Sequence, residues 1–458
     1  MSIEKNAQNL EEIWKAIKEN PLASIREILT DNMIYQACAD YGHEFRRRML
    51  DPVAVVFHYI LHAVQRENSF AATCQEIMAP AFAGFSDQAA NIDANGAFTH
   101  ARSRFKKEIL EKLANDTCEQ AKTLASSKWK GLSLLALDCS SVSMPGEKAL
   151  FGHFGRHKAR SVKIKYPLGT VAFLLDINTS LIIGWRFGPF DHGEKKTAHP
   201  LLGNLKTGDL LIADRGFSGA PTLHLIMAQG ADFLVRKNAR LKVEFQEVGE
   251  RFNKNDFIAK LWPSPQTRKN NPGLPEKVTV RLFKGFITTP AGKKKSEWYM
   301  TSLMDPKKFS PNELARLYHN RWQIETSYLE FKQNSHADVL RSKTVENVYK
   351  EFAAHVLAYQ LVRLVIYRAA KKHKKKPIRI SFINATRWIL AFSKEMSKSP
   401  VWKLPVIYSR MLDAVASSEI DVRPGRFEPR AITRERKHYP RLRISRAAWR
   451  KYVCKTAA

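Results

Sequence analysis

Between residues 131 and 237 five short runs rich in apolar residues recur: LSLLALDCSSV, GTVAFLLDI, LIIGWRF, DLLIADRGF and ADFLVRK. Apolar runs of this length, bounded by turn residues, read as strands and not as helices. A helical stretch, TAHPLLGNL, separates the third from the fourth, and another, APTLHLIMAQ, separates the fourth from the fifth. Three strands, helix, strand, helix, strand predicts an α/β sheet whose first three strands form a meander.

Two of these strands close on a carboxylate. Asp138 follows Leu134 to Leu137 on the first, and Asp214 follows Leu210 to Ala213 on the fourth. A carboxylate beside a buried strand is costly unless compensated. A strand-end turn or helix cap compensates it, and so does a divalent cation. If the first and fourth strands are neighbours, the two acids can share metal ions, and oxygen-only ligands suit Mg2+ or Mn2+. Asp176 also ends an apolar run, but Asp-Ile-Asn-Thr reads as a turn between hairpin strands. Asp191 and Glu194 lie in a polar loop and are weaker rivals.

A third acid comes from a later helix. Ser310, Pro311 and Glu313 form a capping box with proline at the first helical position. If the segment is one helix at ~100° per residue, Tyr318, Arg321, Glu325 and Lys332 fall within an arc of roughly 60°. Leu317, Ile324, Tyr328 and Phe331 form an adjoining apolar stripe that packs inward, which puts Glu325 at the rim of the core. Such a polar face suits a metal-phosphate site, with the carboxylate on the metal and the other three side chains on phosphate oxygens. The same spacing also fits an amphipathic helix with ordinary salt bridges.

The surroundings are basic. Lys and Arg number 75 against 44 Asp and Glu, a formal net charge of +31, which implies a polyanionic partner, nucleic acid first. No segment has 18 or more uninterrupted apolar residues, and the opening MSIEKNAQNLEEIWK lacks a signal-peptide core, so a soluble cytoplasmic protein without membrane contact is expected. The five cysteines show no paired spacing that suggests zinc or disulfides. His153 and His157 lie in a glycine-containing stretch that reads as a loop.

Residues up to about 128 read as helices, and Arg102, Arg104, Lys106 and Lys107 follow a polar turn in a pattern that fits either a helix-turn-helix-like reader of a DNA end or a plain bundle. After Lys237, proline- and lysine-rich loops flank β-like runs KVTVRLFKGFIT and SEWYMTSLM, an inserted β element. Two further helices follow. Residues 421–458 hold twelve Lys or Arg against three acids and read as a basic tail along phosphate backbone.

The segment YHNRWQIETSYLEFK carries Tyr-x2-Arg-x3-Glu-x6-Lys at every defined position, and Asp214-Arg215-Gly216-Phe217 matches an Asp-Arg-x-Phe motif. In these features the chain resembles the bacterial DDE insertion-sequence transposases of the insertion sequence four family. Asp138 is followed by Cys139, where a small residue such as glycine is commoner in that family. The 111-residue step from Asp214 to Glu325 fits its habit of inserting a β domain between those acids, and RPGRFEPR resembles a family C-terminal segment.

The resemblance implies an RNase H-like core in two parts, 129–236 and 306–345, around an insert at 237–305. An N-terminal helical DNA-end-binding domain at 1–128, a helical region at 346–420 and the basic tail at 421–458 complete the expected layout. It implies cut-and-paste transposition of an insertion sequence by phosphoryl transfer, with Asp138, Asp214 and Glu325 holding two Mg2+ ions, for which Mn2+ can substitute. Water frees a 3′ hydroxyl, which attacks through a hairpin intermediate and then joins target DNA. Tyr318, Arg321, Lys332 and Arg215 would contact DNA, and Trp298 would receive an unstacked base. Double-stranded DNA at inverted-repeat ends and target, a homodimer in the DNA complex and nucleoid association are the partners and place expected. A structure-selective nuclease on the same core and a non-catalytic DNA-binding regulator are the alternatives.

Overall fold

The computed structural model describes residues 25, 28–45, 50–65, 69–74, 94–124, 126–156, 166–238, 248–288 and 294–421. They fall almost wholly in one of the two compact units of the chain, Met1–Ile287 with Lys295–Asp421. The basic tail beyond Asp421, including RPGRFEPR, lies outside the described residues, as does His157.

Among the described residues the helices ahead of the sheet include α1 (Asp31–Asp40), α2 (Pro52–Val64), α3 (Ala94–Arg104) and α4 (Lys107–Thr123). Asp51 begins α2 with its carboxylate accepting from the amide of Ala54 at 3.0 Å and proline at the first helical position. The polar turn around Asn91 to Asn95, on which a helix-turn-helix reading depends, lies largely outside the described residues. Only Phe105 and Lys106 separate α3 from α4. Three of the four expected DNA-reading cations are engaged within the fold. Arg102 lies 3.8 Å from the centre of the Phe70 ring, and Lys106 donates to the carbonyls of Tyr41 and Gly42 at 2.7 and 2.9 Å. Lys107 sits over the Tyr349 ring.

The core strands are β1 (Lys128–Trp129), β2 (Leu132–Ser143), β3 (Leu168–Asp176), β4 (Ile182–Pro189), β5 (Asp209–Ala213) and β6 (Asp232–Arg236). A short helix, α5 (Lys148–Phe154), follows β2. Another, α6 (Gly193–Ala198), continues into a 3-10 turn before β5, and α7 (Ala220–Ala228) joins β5 to β6. The β2-β3-β4 meander is antiparallel, as the sequence predicts, while β5 and β6 run parallel to β2. Asp176 ends β3 at the turn into β4, where its carboxylate accepts from the amides of Asn178 and Thr179, both at 2.9 Å, the turn role expected of it.

The inserted strands β7 (Val248–Asn253), β8 (Asp256–Leu261), β9 (Val278–Thr288) and β10 (Lys294–Thr301), with α8 (Pro265–Asn270) between β8 and β9, extend this same sheet. Its order is β4-β3-β2-β5-β6-β10-β9-β8-β7, with β1 on β2. The insert is anchored by Arg281 on β9, which is fully buried. Its guanidinium pairs with Asp256 through two bonds of 2.8 and 2.7 Å and donates to the carbonyls of Leu303 and Phe309. A buried guanidinium is tolerable only with its donors satisfied in this way.

The chain then forms α9 (Pro311–His319), α10 (Trp322–Leu329), a π-helical turn at Glu330–Asn334, the long α11 (Val345–Lys372), α12 (Phe382–Lys398) and α13 (Leu404–Ser417). Helix α11 is buried along most of its length and packs against α2, α4 and α13. Lys350 reaches from it to the carbonyls of Arg102 and Ser103, capping the end of α3 with a cation. Among the described residues no helix is long and apolar enough to cross a membrane.

Candidate active site

Leu137 of β2 is in register with Ala213 of β5, so Asp138, midway along β2, lies beside Asp214, the first residue past the end of β5. Each carboxylate turns back on the following amide: Cys139 donates to Asp138 at 2.8 Å and Arg215 donates to Asp214 at 2.6 Å. Asp214 thereby caps the 3-10 turn Arg215–Phe217. The side chain of Arg215 is exposed.

The capping box forms as predicted, with Ser310 and Glu313 exchanging both bonds. Beyond it the segment is not the single helix expected. α9 stops at His319, and the amides of Arg321, Gln323 and Ile324 bond three residues back, to Tyr318, Asn320 and Arg321. α10 then runs to Leu329 and loosens into the π turn that carries Lys332. The backbone repacks from tight to loose across this stretch, so a common arc read at one helical period does not describe it.

Two of the four signature side chains, Arg321 and Lys332, nevertheless meet β2. Arg321 donates to Glu325 at 2.7 Å and lies 3.8 Å from Asp138. Lys332 donates to the hydroxyl of Ser140 at 3.1 Å, and Ser140 shares the face of β2 that bears Asp138. Tyr318 differs from expectation. It is buried, its ring lies 5.0 Å from that of Tyr299, and among the described residues its hydroxyl has no hydrogen-bond partner. Burial pushes its phenol up to about 12.

Burial dominates the electrostatics around Asp138. Burial raises the Asp138 carboxyl to about 6; the Cys139 amide and Arg321 oppose this, while Asp214 and Glu194 add to it. Burial also lowers Lys332 below the ordinary lysine range. Among the described residues no three His, Cys, Asp or Glu side chains stand close enough to hold a metal ion. The donor chemistry still fits a hard dication, because oxygen-only groups crowd Asp138 and a guanidinium compensates them only in part. Glu325 is held by Arg321 and does not stand with the two aspartates.

The sequence did not single out Arg236, Tyr328 or Trp322. Arg236 ends β6 and approaches Asp214 to 3.7 Å. Its signal was available, since ADFLVR closes on a charge as DLLIAD does. Tyr328, assigned by its spacing to the inward stripe, is buried as expected, but its hydroxyl donates to the Asp138 carbonyl at 2.7 Å. Trp322 is 57% exposed, three residues before Glu325. Glu194, ranked low as a loop residue, enters the field at Asp138, and its carbonyl faces the Cys139 thiol at 3.6 Å. Trp298 is not brought to the acids. Its neighbour Tyr299 is in register with Arg236, so alternation turns Trp298 to the other face, edge-on to Phe257.

Residues 129–361 match the transposase DDE domain family. The chain is 26% identical over 428 residues to the transposase InsG for insertion sequence element IS4 of Escherichia coli (strain K12), covering 92% of this chain and 94% of that one. A solved synaptic complex of piggyBac transposase with hairpin DNA aligns over 86% of this chain and 85% of its own, at 11% identity and a TM-score of 0.42. With the family match spanning more than half its length, the chain belongs to the DDE transposases, enzymes of DNA cleavage and strand transfer.

Proposed function

We propose that this transposase moves an insertion sequence by cut-and-paste chemistry, with Asp138, Asp214 and Glu325 as its acidic triad. The observation that carries the reading is Arg321, which bridges Asp138 in the middle of β2 to Glu325 on α10, next to the end of β5 where Asp214 follows. The order β4-β3-β2-β5-β6, three antiparallel strands and two parallel to the first, supports an RNase H-like core at 129–236 and 306–345, with residues 237–305 as its insert.

The three carboxylates would hold two Mg2+ ions, or Mn2+ in their place, which when bound supply an activated oxygen nucleophile and counter-charge for the leaving 3′ oxygen. Arg321, once released from Glu325, takes a phosphate oxygen by its two-pronged donor geometry. Lys332, held beside Asp138 through Ser140, and Arg215, exposed beside Asp214, add charge on either side of that phosphate. Tyr318 packs beside Arg321, whose guanidinium lies 5.9 Å from the centre of its ring, and supports that side chain from within the core. A hairpin intermediate bends DNA sharply, and stacking an unstacked base on indole offsets ~1–3 kcal/mol. Of the two candidate tryptophans, Trp322 is the better placed, being exposed next to Arg321. A homodimer would bring two element ends together, with residues 1–128 and 421–458 holding DNA outside the core.

A supercoiled plasmid carrying the element between its inverted repeats tests the reading. Cleavage and joining in Mg2+ are expected, and Asp214→Ala or Glu325→Ala should abolish both while leaving end binding intact. Unchanged cleavage by either variant rejects the triad, and cutting without any joined product points to a nuclease.

A further inference from the structure

We infer that Tyr328 is a positioning residue: its hydroxyl fixes the distance between Asp138 and the helix that carries Glu325, and so sets how tightly the acids take a divalent metal. The inference rests on the proposed triad.

The inward stripe next to the signature is otherwise apolar, made by Leu317, Ile324 and Phe331. A phenylalanine at 328 would fill the same space, and a buried hydroxyl is costly unless it finds partners. The Tyr328 hydroxyl finds them on two strands. It donates to the carbonyl of Asp138 at 2.7 Å and accepts from the amide of Phe173 at 3.1 Å. Asp138 and Phe173 are register partners on β2 and β3, so one oxygen joins both strands to α10 at the position of the first acid. The Tyr328 ring stacks on that of Phe173, with centres 5.0 Å apart and planes 12° from parallel, which holds the hydroxyl in place.

Among the described residues Asp138 is tied to the signature helix in two ways, through its carboxylate to Arg321 and through its carbonyl to Tyr328. The two ties differ in permanence. Arg321 is partly exposed and has to release the acids when phosphate and metal arrive. Tyr328 is buried, and its bond is to main chain, which neither ligand competes for. It therefore persists when the arginine contact opens. Because the Asp138 side chain leaves the same residue as that carbonyl, a shift of the carbonyl shifts the carboxylate.

The test is Tyr328→Phe in the full chain, with Mn2+ titrated by electron paramagnetic resonance in the absence of DNA. Groups that orient metal ligands typically change affinity 10- to 100-fold, so a loss on the order of tenfold is expected, with end-DNA binding unchanged. The Mn2+ concentration for half-maximal plasmid cleavage should rise in parallel. Phe173→Leu, which disturbs the ring stack and keeps the hydroxyl, should lower the melting temperature with a much smaller metal shift. Wild-type Mn2+ affinity in Tyr328→Phe, or an equal loss in both variants, overturns the positioning role in favour of plain packing. Asp138→Asn serves as the control: if it leaves Mn2+ binding intact, the triad itself fails and takes this inference with it.

Discussion

Arg321 and Glu325, four residues apart at the start of α10, are joined by a 2.7 Å ion pair that also draws the guanidinium to within 3.8 Å of Asp138. The DNA-free site thus neutralises its acids with its own arginine. If Glu325 takes metal and Arg321 takes phosphate, as proposed, the two ligands together displace that contact.

Arg321→Ala is therefore expected to separate metal binding from chemistry. Mn2+ affinity measured without DNA should hold or improve, because Glu325 is freed. Plasmid cleavage at saturating metal should fall by about 10²- to 10³-fold, the usual cost of losing a charge aimed at the reacting phosphate. A parallel loss of metal affinity would mean that Arg321 orders the acids instead of competing for them.

The raised Asp138 carboxyl predicts a pH-dependent stability. Its proton is held up to about pH 6 in the folded chain, against an ordinary value of 3.8. Stability is therefore lost as pH rises through that window, since the folded state binds the extra proton there. Asp138→Asn should melt higher than wild type at pH 7 in chelator, and the gap should close by about pH 4. Calorimetric melts across that range read it directly, and a constant gap would contradict the assignment.

Arg236 makes a prediction about DNA. If it takes a phosphate beside Asp214, Arg236→Gln should reduce the slope of log binding constant against log salt by about one. Its melting temperature should stay close to wild type, because the contact to Asp214 is partly exposed and long. Anisotropy of labelled end DNA at several salt concentrations distinguishes this from an unchanged slope.

Arg281 should be costly to remove for a different reason. Arg281→Ala leaves the Asp256 carboxylate buried without its partner, a loss of roughly 3–5 kcal/mol. Since the same guanidinium holds the carbonyl of Phe309, just before the capping box, cleavage should fall along with thermal stability. Activity retained at full thermal stability would show that the insert does not support the signature helix.

The strands and their meander were legible because β2, β3, β5 and β6 carry apolar runs bounded by turns or charges, while the pairing of β2 with β5 was only a condition of the reading. What escaped was set by tertiary contact. The β7–β8 hairpin, VGERFN and DFIAKL, alternates too weakly to stand out until it adds to the sheet. Arg102 and Lys106 looked like free cations, and only the folded positions of Phe70 and the Tyr41–Gly42 turn show where they go. The break at Asn320 carries no glycine or proline, so an even helical period was assumed across it. Tyr328 was read correctly for burial, but the direction of its hydroxyl depends on a strand nearly two hundred residues earlier.

The pairing of β10 with β6 gives the insert a direct mechanical line to the chemistry. Tyr299 lies opposite Arg236, and Arg236 reaches Asp214, so no loop or hinge intervenes between the inserted strands and the second aspartate. Force applied to the far strands would load the backbone ladder itself, and the push would be felt beside Asp214 as tilt.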